Sequence, residues 1–331
     1  MYYTKLEGNK VNCQLCPRRC IIADTKRGFC GVRENRGGTL YTLVYGKPCA
    51  VHVDPIEKKP LFHFFPKSRA FSIATVGCNL RCKFCQNWQI SQAKPEDVKP
   101  YNLTPEEIVK KAIETSSRSI AYTYTEPTVF YEYMIAIAKI AKEKGVKNVM
   151  HSAGHINEEP LRRLCKYLDA ANIDLKGFSS DYYATMSLGD LDSVLRTLKI
   201  LDEEGVWVEI TNLVVPGLND DPELIKNMSI WIKENLGAET PLHFSRFHPM
   251  YKLTSVSPTP VKTLERARKI AIEVGLHYVY IGNVGGHSAE STYCPVCKKM
   301  LIERAGYSIG DINIKDGKCK FCSVEVDGVW K

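Results

Sequence analysis

The strongest constraint on the fold is the alternation of two hydrophobic periodicities between Phe71 and Asn283. Short apolar segments rich in β-branched residues alternate with longer segments whose apolar residues recur every three to four positions. This alternation is typical of repeated β–α units around a parallel sheet. It predicts strands at 71–76, 119–125, 148–153, 170–176, 206–215 and 242–247. Six such units predict an α/β fold with an incomplete, TIM-like (β/α)6 barrel.

The segments between these strands carry helix start and stop signals. Thr104 is followed by a proline and two glutamates, which suit an N-cap, the first helical position and the positive end of the helix dipole. An apolar stripe from Val129 to Ala141 predicts a helix that packs on the core, and Gly145 can end it in the left-handed conformation.

Five candidate site residues lie at, or just after, the ends of successive predicted strands. Cys78, Glu126, Ser152, Asp174 and Val215 hold such positions. Since the carboxyl ends of parallel strands converge on one edge of the sheet, we expect these residues to form a single site.

Charge and cysteine usage narrow the class of protein. Lys and Arg number 45 against 37 Asp and Glu, a net charge of +8 without a compact basic block, so nucleic-acid binding is not expected. The first residues lack an apolar stretch of signal-peptide length, and no segment has the length of a membrane span. We therefore expect a cytoplasmic protein. Its 13 cysteines then favour metal or cluster ligation over disulfides.

Three of those cysteines, Cys78, Cys82 and Cys85, follow the first predicted strand with C-x3-C-x2-C spacing. Three thiolates can hold three corners of a cubane iron–sulfur cluster and leave the fourth iron open to a small molecule. A structural zinc site would need a fourth ligand, which only a distant residue could supply.

The segment around these cysteines resembles a known enzyme family. Residues 77–88, called the cluster loop below, resemble the corresponding loop of radical S-adenosylmethionine (SAM) enzymes, and within them the pyruvate formate-lyase activating enzymes. Cys49 with residues 54–61 and 86–92 resembles the AmmeMemoRadiSam-system branch of that family. The resemblance implies a 4Fe–4S cluster on the three cysteines, bound SAM, and a 5′-deoxyadenosyl radical that abstracts hydrogen.

The resemblance also implies the residues of the SAM site. It implies that Phe84 and Asn87 lie near the adenosyl group, Thr125 and Glu126 near the amine, and Lys176 at the methionine carboxylate. It further implies that Asp174 helps to hold a monovalent cation, that Val215 and His248 lie around the adenine, and that Ser152 belongs to the same site. Tyr124-Thr125 stands where the family usually has two glycines. His151 stands where the activating enzyme has an aspartate that holds a monovalent cation, and histidine is a poor ligand for such an ion. Without the cysteines, Asp174 and Lys176 would read as a simple ion pair, Glu126 as a helix-start acid and His248 as a surface histidine.

Two further cysteine groups flank the predicted barrel. Near the C-terminus, the two C-x2-C pairs Cys294/Cys297 and Cys319/Cys322 predict a zinc ribbon. Inside the predicted ribbon, the segment 304–307 is similar to the signature sequence of glycyl-radical proteins but is one residue shorter. A turn of the ribbon explains this segment better than a glycyl-radical site does. Near the N-terminus lie four more cysteines, Cys13, Cys16, Cys20 and Cys30. Either zinc or a second iron–sulfur cluster would suit them.

These observations predict three domains: a Cys-rich extension at 1–65, a radical SAM partial barrel at 66–288 and a zinc ribbon at 289–331. The leading hypothesis is an activating-enzyme-like oxidoreductase that takes hydrogen from a glycine of a protein partner. The alternatives are modification of a small molecule or RNA, and a catalytically silent zinc-binding scaffold. The resemblance implies an electron donor such as ferredoxin or flavodoxin, and Memo-like and Ammecr-like partners.

Overall fold

The N-terminal segment forms two small antiparallel sheets. The computed structural model describes all residues, 1–331. The first sheet has the strand order β1-β2-β3, and β4 and β5 form a separate hairpin. These strands are β1 (Tyr3–Lys5), β2 (Val11–Cys13), β3 (Ile21–Ile22), β4 (Arg33–Arg36) and β5 (Thr39–Thr42).

The central sheet contains eight strands in the order in which they follow along the chain. Seven of them, β7 to β13, are parallel, and β6 pairs antiparallel with β7 at the edge. No pairing joins β6 to β13, so the sheet is open along that seam. Its strands are β6 (Ala50–Pro55), β7 (Arg69–Ala74), β8 (Ser119–Tyr122), β9 (Lys147–Ser152), β10 (Ala170–Asp174), β11 (Trp207–Val214), β12 (Leu242–Arg246) and β13 (Val279–Gly282).

All six predicted strands are present, with ends that differ by at most three residues. The six predicted β/α units are present, because β7 to β12 are each followed by one of the longer helices, and β13 adds a seventh parallel strand that was not predicted. The edge strand β6 was also not predicted, and it lies N-terminal to the predicted domain boundary at residue 65. That boundary and the curvature of a barrel stay predictions.

Six longer helices connect the seven parallel strands, and two short helices lie at the site edge of the sheet. The helix predicted at Thr104 begins there, with the threonine side chain accepting a hydrogen bond from the N–H of Glu107. Gly145 follows the third helix with φ +72°, as its position predicts. The helices are α1 (Trp88–Ser91), α2 (Pro105–Glu114), α3 (Tyr131–Glu143), α4 (Glu158–Cys165), α5 (Ser180–Tyr182), α6 (Leu191–Glu203), α7 (Pro222–Leu236) and α8 (Val261–Val274).

The chain ends in a small antiparallel β unit. Its three-stranded sheet has the order β14-β15-β16, and β17 pairs with β18. The segment similar to the glycyl-radical signature forms the hairpin between β15 and β16, with Gly306 at φ +60°, which supports the turn interpretation. The strands are β14 (Thr292–Tyr293), β15 (Met300–Ala305), β16 (Ser308–Ile312), β17 (Ile314–Lys315) and β18 (Lys318–Cys319).

One large apolar core of 57 buried residues joins the N-terminal strands to the central sheet and its helices. Burial on this scale supplies most of the free energy that holds the elements together. No helix is both long enough and apolar enough to cross a bilayer.

Candidate active site

The cluster loop follows β7 at the carboxyl edge of the sheet and is held by backbone hydrogen bonds. The N–H groups of Arg81 and Lys83 donate to the carbonyls of Ser187 and Met186, at 2.8 and 2.9 Å. From the opposite side, the N–H of Lys252 donates to the carbonyl of Lys83 at 2.9 Å. Segments that follow β10 and β12 therefore fix the backbone that carries the cysteines.

The three cysteines of this loop belong to one packed group at the edge of the sheet, which contains no fourth cysteine. Burial raises the pKa of the Cys78 thiol well above its usual value and that of Cys82 to about 11. The N–H of Leu80 donates to the Cys78 sulfur at 3.3 Å, and the Cys85 sulfur lies 3.2 Å from the Ser91 hydroxyl. Buried thiols of this kind lose their protons when a metal centre binds them, because the metal stabilises the thiolate.

Asp174, Lys176 and His151 form a charged triad at the ends of β9 and β10. One carboxylate oxygen of Asp174 accepts from the Lys176 ammonium at 2.8 Å, and the other lies 3.0 Å from Nε2 of His151. Burial disfavours the charge of Asp174, but Lys176 and His151 outweigh this effect and hold its pKa below the usual range. Likewise, Asp174 and Cys82 outweigh the burial of Lys176 and keep the pKa of Lys176 well above its usual value.

Glu126 is buried and ties the end of β9 to the loop after β8. Its carboxylate accepts from the Ser152 hydroxyl at 2.7 Å and from the Ala153 N–H at 2.9 Å. It also accepts from the hydroxyl and N–H of Thr128 at 2.7 and 3.2 Å, so it caps the short 3-10 helix that follows. The two predicted site residues Glu126 and Ser152 are thus direct partners, close to Cys78.

Tyr124, in the place of a family glycine, has a left-handed backbone with φ +64°. Such a conformation costs a residue with a side chain about 1–2 kcal/mol. The phenol offsets that cost, because its hydroxyl donates to the buried carboxylate of Asp54 and its ring packs 4.4 Å from the Lys59 ammonium. The carbonyl of Tyr124 accepts from the side-chain amide of Asn87 at 2.8 Å, and the Thr125 hydroxyl donates to the carbonyl of Thr75.

We expect Tyr124→Phe to lower the free energy of unfolding by about 1.5–3 kcal/mol, the range for a hydrogen bond to a charged group. The substitution keeps the ring but leaves the buried Asp54 carboxylate with only its lysine partners. Urea unfolding measures the change. Tyr101→Phe is the matched control, since that side chain is 55% exposed. Equal stability of the two variants would show that the hydroxyl does not anchor the left-handed residue.

The apolar part of the site is built by side chains from several loops. Phe84 and Val215 are buried in the same packed group as Cys82. The Phe84 ring stacks on Tyr182 at 6.4 Å between centroids, and the Lys176 ammonium lies 6.0 Å from it. His248 is exposed and makes no hydrogen bond, so the structure does not bring it to the charged part of the site.

Asn219, which was not predicted as a site residue, links the end of β11 to the loop after β10. Its side-chain amide donates to the carbonyls of Lys176 and Leu213 at 2.7 and 2.9 Å, and its oxygen accepts from the N–H of Val215 at 2.6 Å. Tyr183 was not predicted either, and its hydroxyl accepts from the N–H of Lys176. An asparagine five residues after the end of β11 was the one available signal, because such residues commonly bond to nearby backbone.

The C-terminal cysteines have the geometry of a single-ion site. The sulfurs of Cys294 and Cys322 lie 3.6 Å apart, those of Cys297 and Cys319 lie 3.8 Å apart, and all four are mutually within 4.8 Å. A tetrahedral ion bound at about 2.3 Å to each sulfur would place the sulfurs about 3.8 Å apart. This group could therefore hold one metal ion.

The sequence matches the radical SAM superfamily over residues 72–228, a region that includes the whole cluster loop. It is also 51% identical over 329 residues to an uncharacterized protein of Methanocaldococcus jannaschii. The aligned region covers 99% of this chain and 98% of that protein. The chain belongs to the radical SAM superfamily. Over 166 residues it is 28% identical to the pyruvate formate-lyase-activating enzyme of Clostridium pasteurianum, spanning 47% of this chain and 66% of that enzyme.

Solved structures agree on the fold of this radical SAM protein. A radical SAM methyltransferase from Sphaerobacter thermophilus superposes with a TM-score of 0.51 at 16% identity, covering 66% of this chain and 67% of that one. At this identity the likeness shows a shared fold and nothing about the substrate. The α/β architecture with its parallel sheet is thus the radical SAM fold.

Membership of the superfamily implies a 4Fe–4S cluster and SAM, and the residues present fit both. No three sulfurs of the cluster loop lie mutually within 4.8 Å, whereas the C-terminal sulfurs do. A cubane binds each cysteine through a different iron, so it needs sulfurs that are farther apart than those around one ion. The absence of a fourth cysteine from the packed group leaves one iron without a protein sulfur.

Proposed function

We propose that this radical SAM enzyme abstracts hydrogen from a glycine of a partner protein, in the manner of glycyl-radical-enzyme activating enzymes. The observation that carries the proposal is the homology of its catalytic half to such enzymes, together with a site whose residues fit the cluster and SAM. When bound, the reduced 4Fe–4S cluster supplies one electron that cleaves SAM into methionine and a 5′-deoxyadenosyl radical.

Lys176 is suited to bind the carboxylate of SAM. An ammonium has three N–H groups, and only one of those of Lys176 is engaged, by Asp174. The remaining two can donate to a ligand carboxylate without breaking the existing ion pair. Since the side chain is 11% exposed, such a bond would be shielded from competing water and salt.

The apolar residues of the site would exclude water from the radical. Phe84 and Val215 form a buried wall next to Cys82. Glu126 and Ser152 hold the loops after β8 and β9 in place, and Asn87 ties the cluster loop to the carbonyl of Tyr124. Through these bonds the chain orients SAM and limits the access of solvent.

Both oxygens of the Asp174 carboxylate already have partners, His151 and Lys176, and we therefore propose that no monovalent cation binds beside it. We expect His151→Asp to make SAM cleavage depend on K⁺ or Na⁺, since two neighbouring carboxylates repel each other unless a cation lies between them.

The test of His151→Asp compares SAM cleavage in KCl and in choline chloride at equal ionic strength. Wild type should be equally active in both salts, and the variant should be several-fold more active in KCl. His277→Asp makes the same change of charge at an exposed position and should behave as wild type. A wild-type enzyme that needs K⁺ would contradict this account of the triad.

We propose zinc as the metal of the C-terminal group, because four thiolates in a small tetrahedron are its preferred closed site. The unit that carries them is tied to the sheet by the buried guanidinium of Arg304, which donates to the carbonyl of Phe62 at 2.8 Å. Replacing Cys294 and Cys322 by serine should remove about one zinc per chain without changing the iron content. Metal analysis in which iron falls instead would contradict a zinc ribbon.

The proposal also includes the partners that the family resemblance implies. A low-potential donor of the ferredoxin or flavodoxin type would supply the electron in the cytoplasm, and Memo-like and Ammecr-like proteins would act with the enzyme. The AmmeMemoRadiSam branch rests on the sequence segments at 54–61 and 86–92.

Electron paramagnetic resonance tests whether the substrate is a glycine of a partner protein. The reconstituted enzyme, SAM and dithionite are incubated with candidate partner proteins, and we expect a glycine-centred doublet that disappears when the partner is omitted. Transfer of deuterium from labelled glycine to 5′-deoxyadenosine would confirm the donor. Deuterium arriving only from a labelled small-molecule or RNA pool would overturn the glycine substrate while leaving the radical SAM reaction intact.

A further inference from the structure

The four N-terminal cysteines, Cys13, Cys16, Cys20 and Cys30, line one cavity, part of which is open to solvent. Cys13 ends β2, and its N–H donates to the carbonyl of Cys20 at 2.9 Å. Cys16 lies in the loop between them, and the segment after β3 brings Cys30 to the same cavity. The sequence pattern alone left zinc and an iron–sulfur cluster open for this group.

The distances between the sulfurs distinguish zinc from an iron–sulfur cluster. No three of the N-terminal sulfurs lie mutually within 4.8 Å, although the four C-terminal sulfurs do. One tetrahedral zinc needs all four sulfurs about 3.8 Å apart. A cluster binds each sulfur through an iron at a different corner and therefore needs a wider set. In this respect the N-terminal group resembles the cluster loop and differs from the C-terminal unit.

A second observation points to a negatively charged ligand in the cavity. The Arg33 side chain lines it and is only 3% exposed. Its two terminal nitrogens donate to Glu132, but its Nε has no hydrogen-bond partner. A buried N–H group without a partner is destabilising, and the sulfur of a cluster or of its thiolate ligands would accept this bond.

The cavity adjoins the catalytic cluster loop. Asn79, the residue after Cys78, lines it and accepts a hydrogen bond from Arg18 through its carbonyl. Gly77 is close enough that a Cβ atom there would lie 2.8 Å from the carbonyl of Cys30. The two cysteine loops therefore pack directly against each other.

We propose that Cys13, Cys16, Cys20 and Cys30 bind a second iron–sulfur cluster, fully ligated by protein thiolates, beside the catalytic cluster. This inference goes beyond the proposed function, because the site has its own four ligands and requires neither SAM nor a particular substrate. It should persist in a protein that lacks the catalytic cluster.

The test is anaerobic purification with iron and sulfide reconstitution, followed by iron, sulfide and zinc analysis of wild type and two variants. Wild type should hold about six to eight irons per chain, according to whether the second cluster has two or four, and about one zinc. Cys82→Ala should keep about two to four irons, and Cys16→Ala with Cys20→Ala should keep about four. Cys49→Ala and Cys165→Ala, which lie outside all three groups, should match wild type.

Electron paramagnetic resonance gives a second readout. After reduction, wild type should show a signal broadened by two neighbouring paramagnetic clusters, and Cys82→Ala should show a sharper signal from one. About four irons and two zincs in wild type, or an iron-free Cys82→Ala protein, would overturn the inference. Since Cys82→Ala leaves the N-terminal loop unchanged, this result decides the matter even if the N-terminal variant fails to fold. Loss of SAM cleavage alone would bear only on the proposed function.

Discussion

Cys82→Ala should reduce SAM cleavage to background and remove about four irons per chain, because a cubane held by three thiolates does not survive the loss of one. Cys82 is the most buried thiol of the cluster loop, and the positive charge of Lys176 favours its thiolate form. The change is therefore both the loss of a ligand and the loss of a charge that stabilises the lysine. Colour, iron content and release of 5′-deoxyadenosine measure the outcome.

Cys165→Ala is the matched control for this substitution. Cys165 is also buried in an apolar environment, at the end of α4, but it belongs to none of the three cysteine groups. The control should cost some stability, as the loss of any buried side chain does, and should keep full iron content and activity. If Cys82→Ala behaved like Cys165→Ala, the cluster loop would not hold the catalytic centre.

Lys176→Met should weaken the binding of SAM on the order of 10- to 100-fold, which corresponds to the loss of a charge-assisted hydrogen bond of about 1.5–3 kcal/mol. Methionine keeps the length and apolar stem of the side chain but removes the ammonium. Asp174 would retain His151 as a partner, so the fold should survive. Calorimetric titration of the reconstituted enzyme with SAM measures the affinity.

Lys147→Met provides the control, because Lys147 makes an equivalent pair with Asp169 at 2.8 Å but at the opposite edge of the sheet, where β9 begins. That variant should bind SAM as wild type does. An unchanged affinity in Lys176→Met would mean that Asp174 and Lys176 form only a structural ion pair, which is the alternative left open by their spacing in the sequence.

The parallel strands could be predicted because most of their residues are buried and apolar, as Ala70, Phe71, Ile73 and Ala74 of β7 illustrate. The edge strand β6 escaped prediction since its half-exposed sequence contains histidine, aspartate and proline. β13 is only four residues long, yet its Val-Tyr-Ile run after α8 is β-prone and could have revealed it.

The cysteine groups were visible in the sequence because metal ligands cluster at short spacings. The hydrogen bonds between site residues that are far apart in the sequence were not visible. The hydrogen bond from Tyr124 to Asp54 joins residues 70 positions apart, and it explains why a tyrosine can replace glycine in a left-handed conformation. The pairing of Glu126 with Ser152 likewise required the register of β8 and β9. Periodicity identifies elements, whereas such partners emerge only from their packing.

The most direct test of the central claim is the product analysis of one anaerobic reaction containing reconstituted enzyme, dithionite and SAM. We predict 5′-deoxyadenosine and methionine in equal amounts, with no product when dithionite is omitted. A protein that binds iron at the cluster loop but leaves SAM intact, or one that holds only zinc there, would contradict the account.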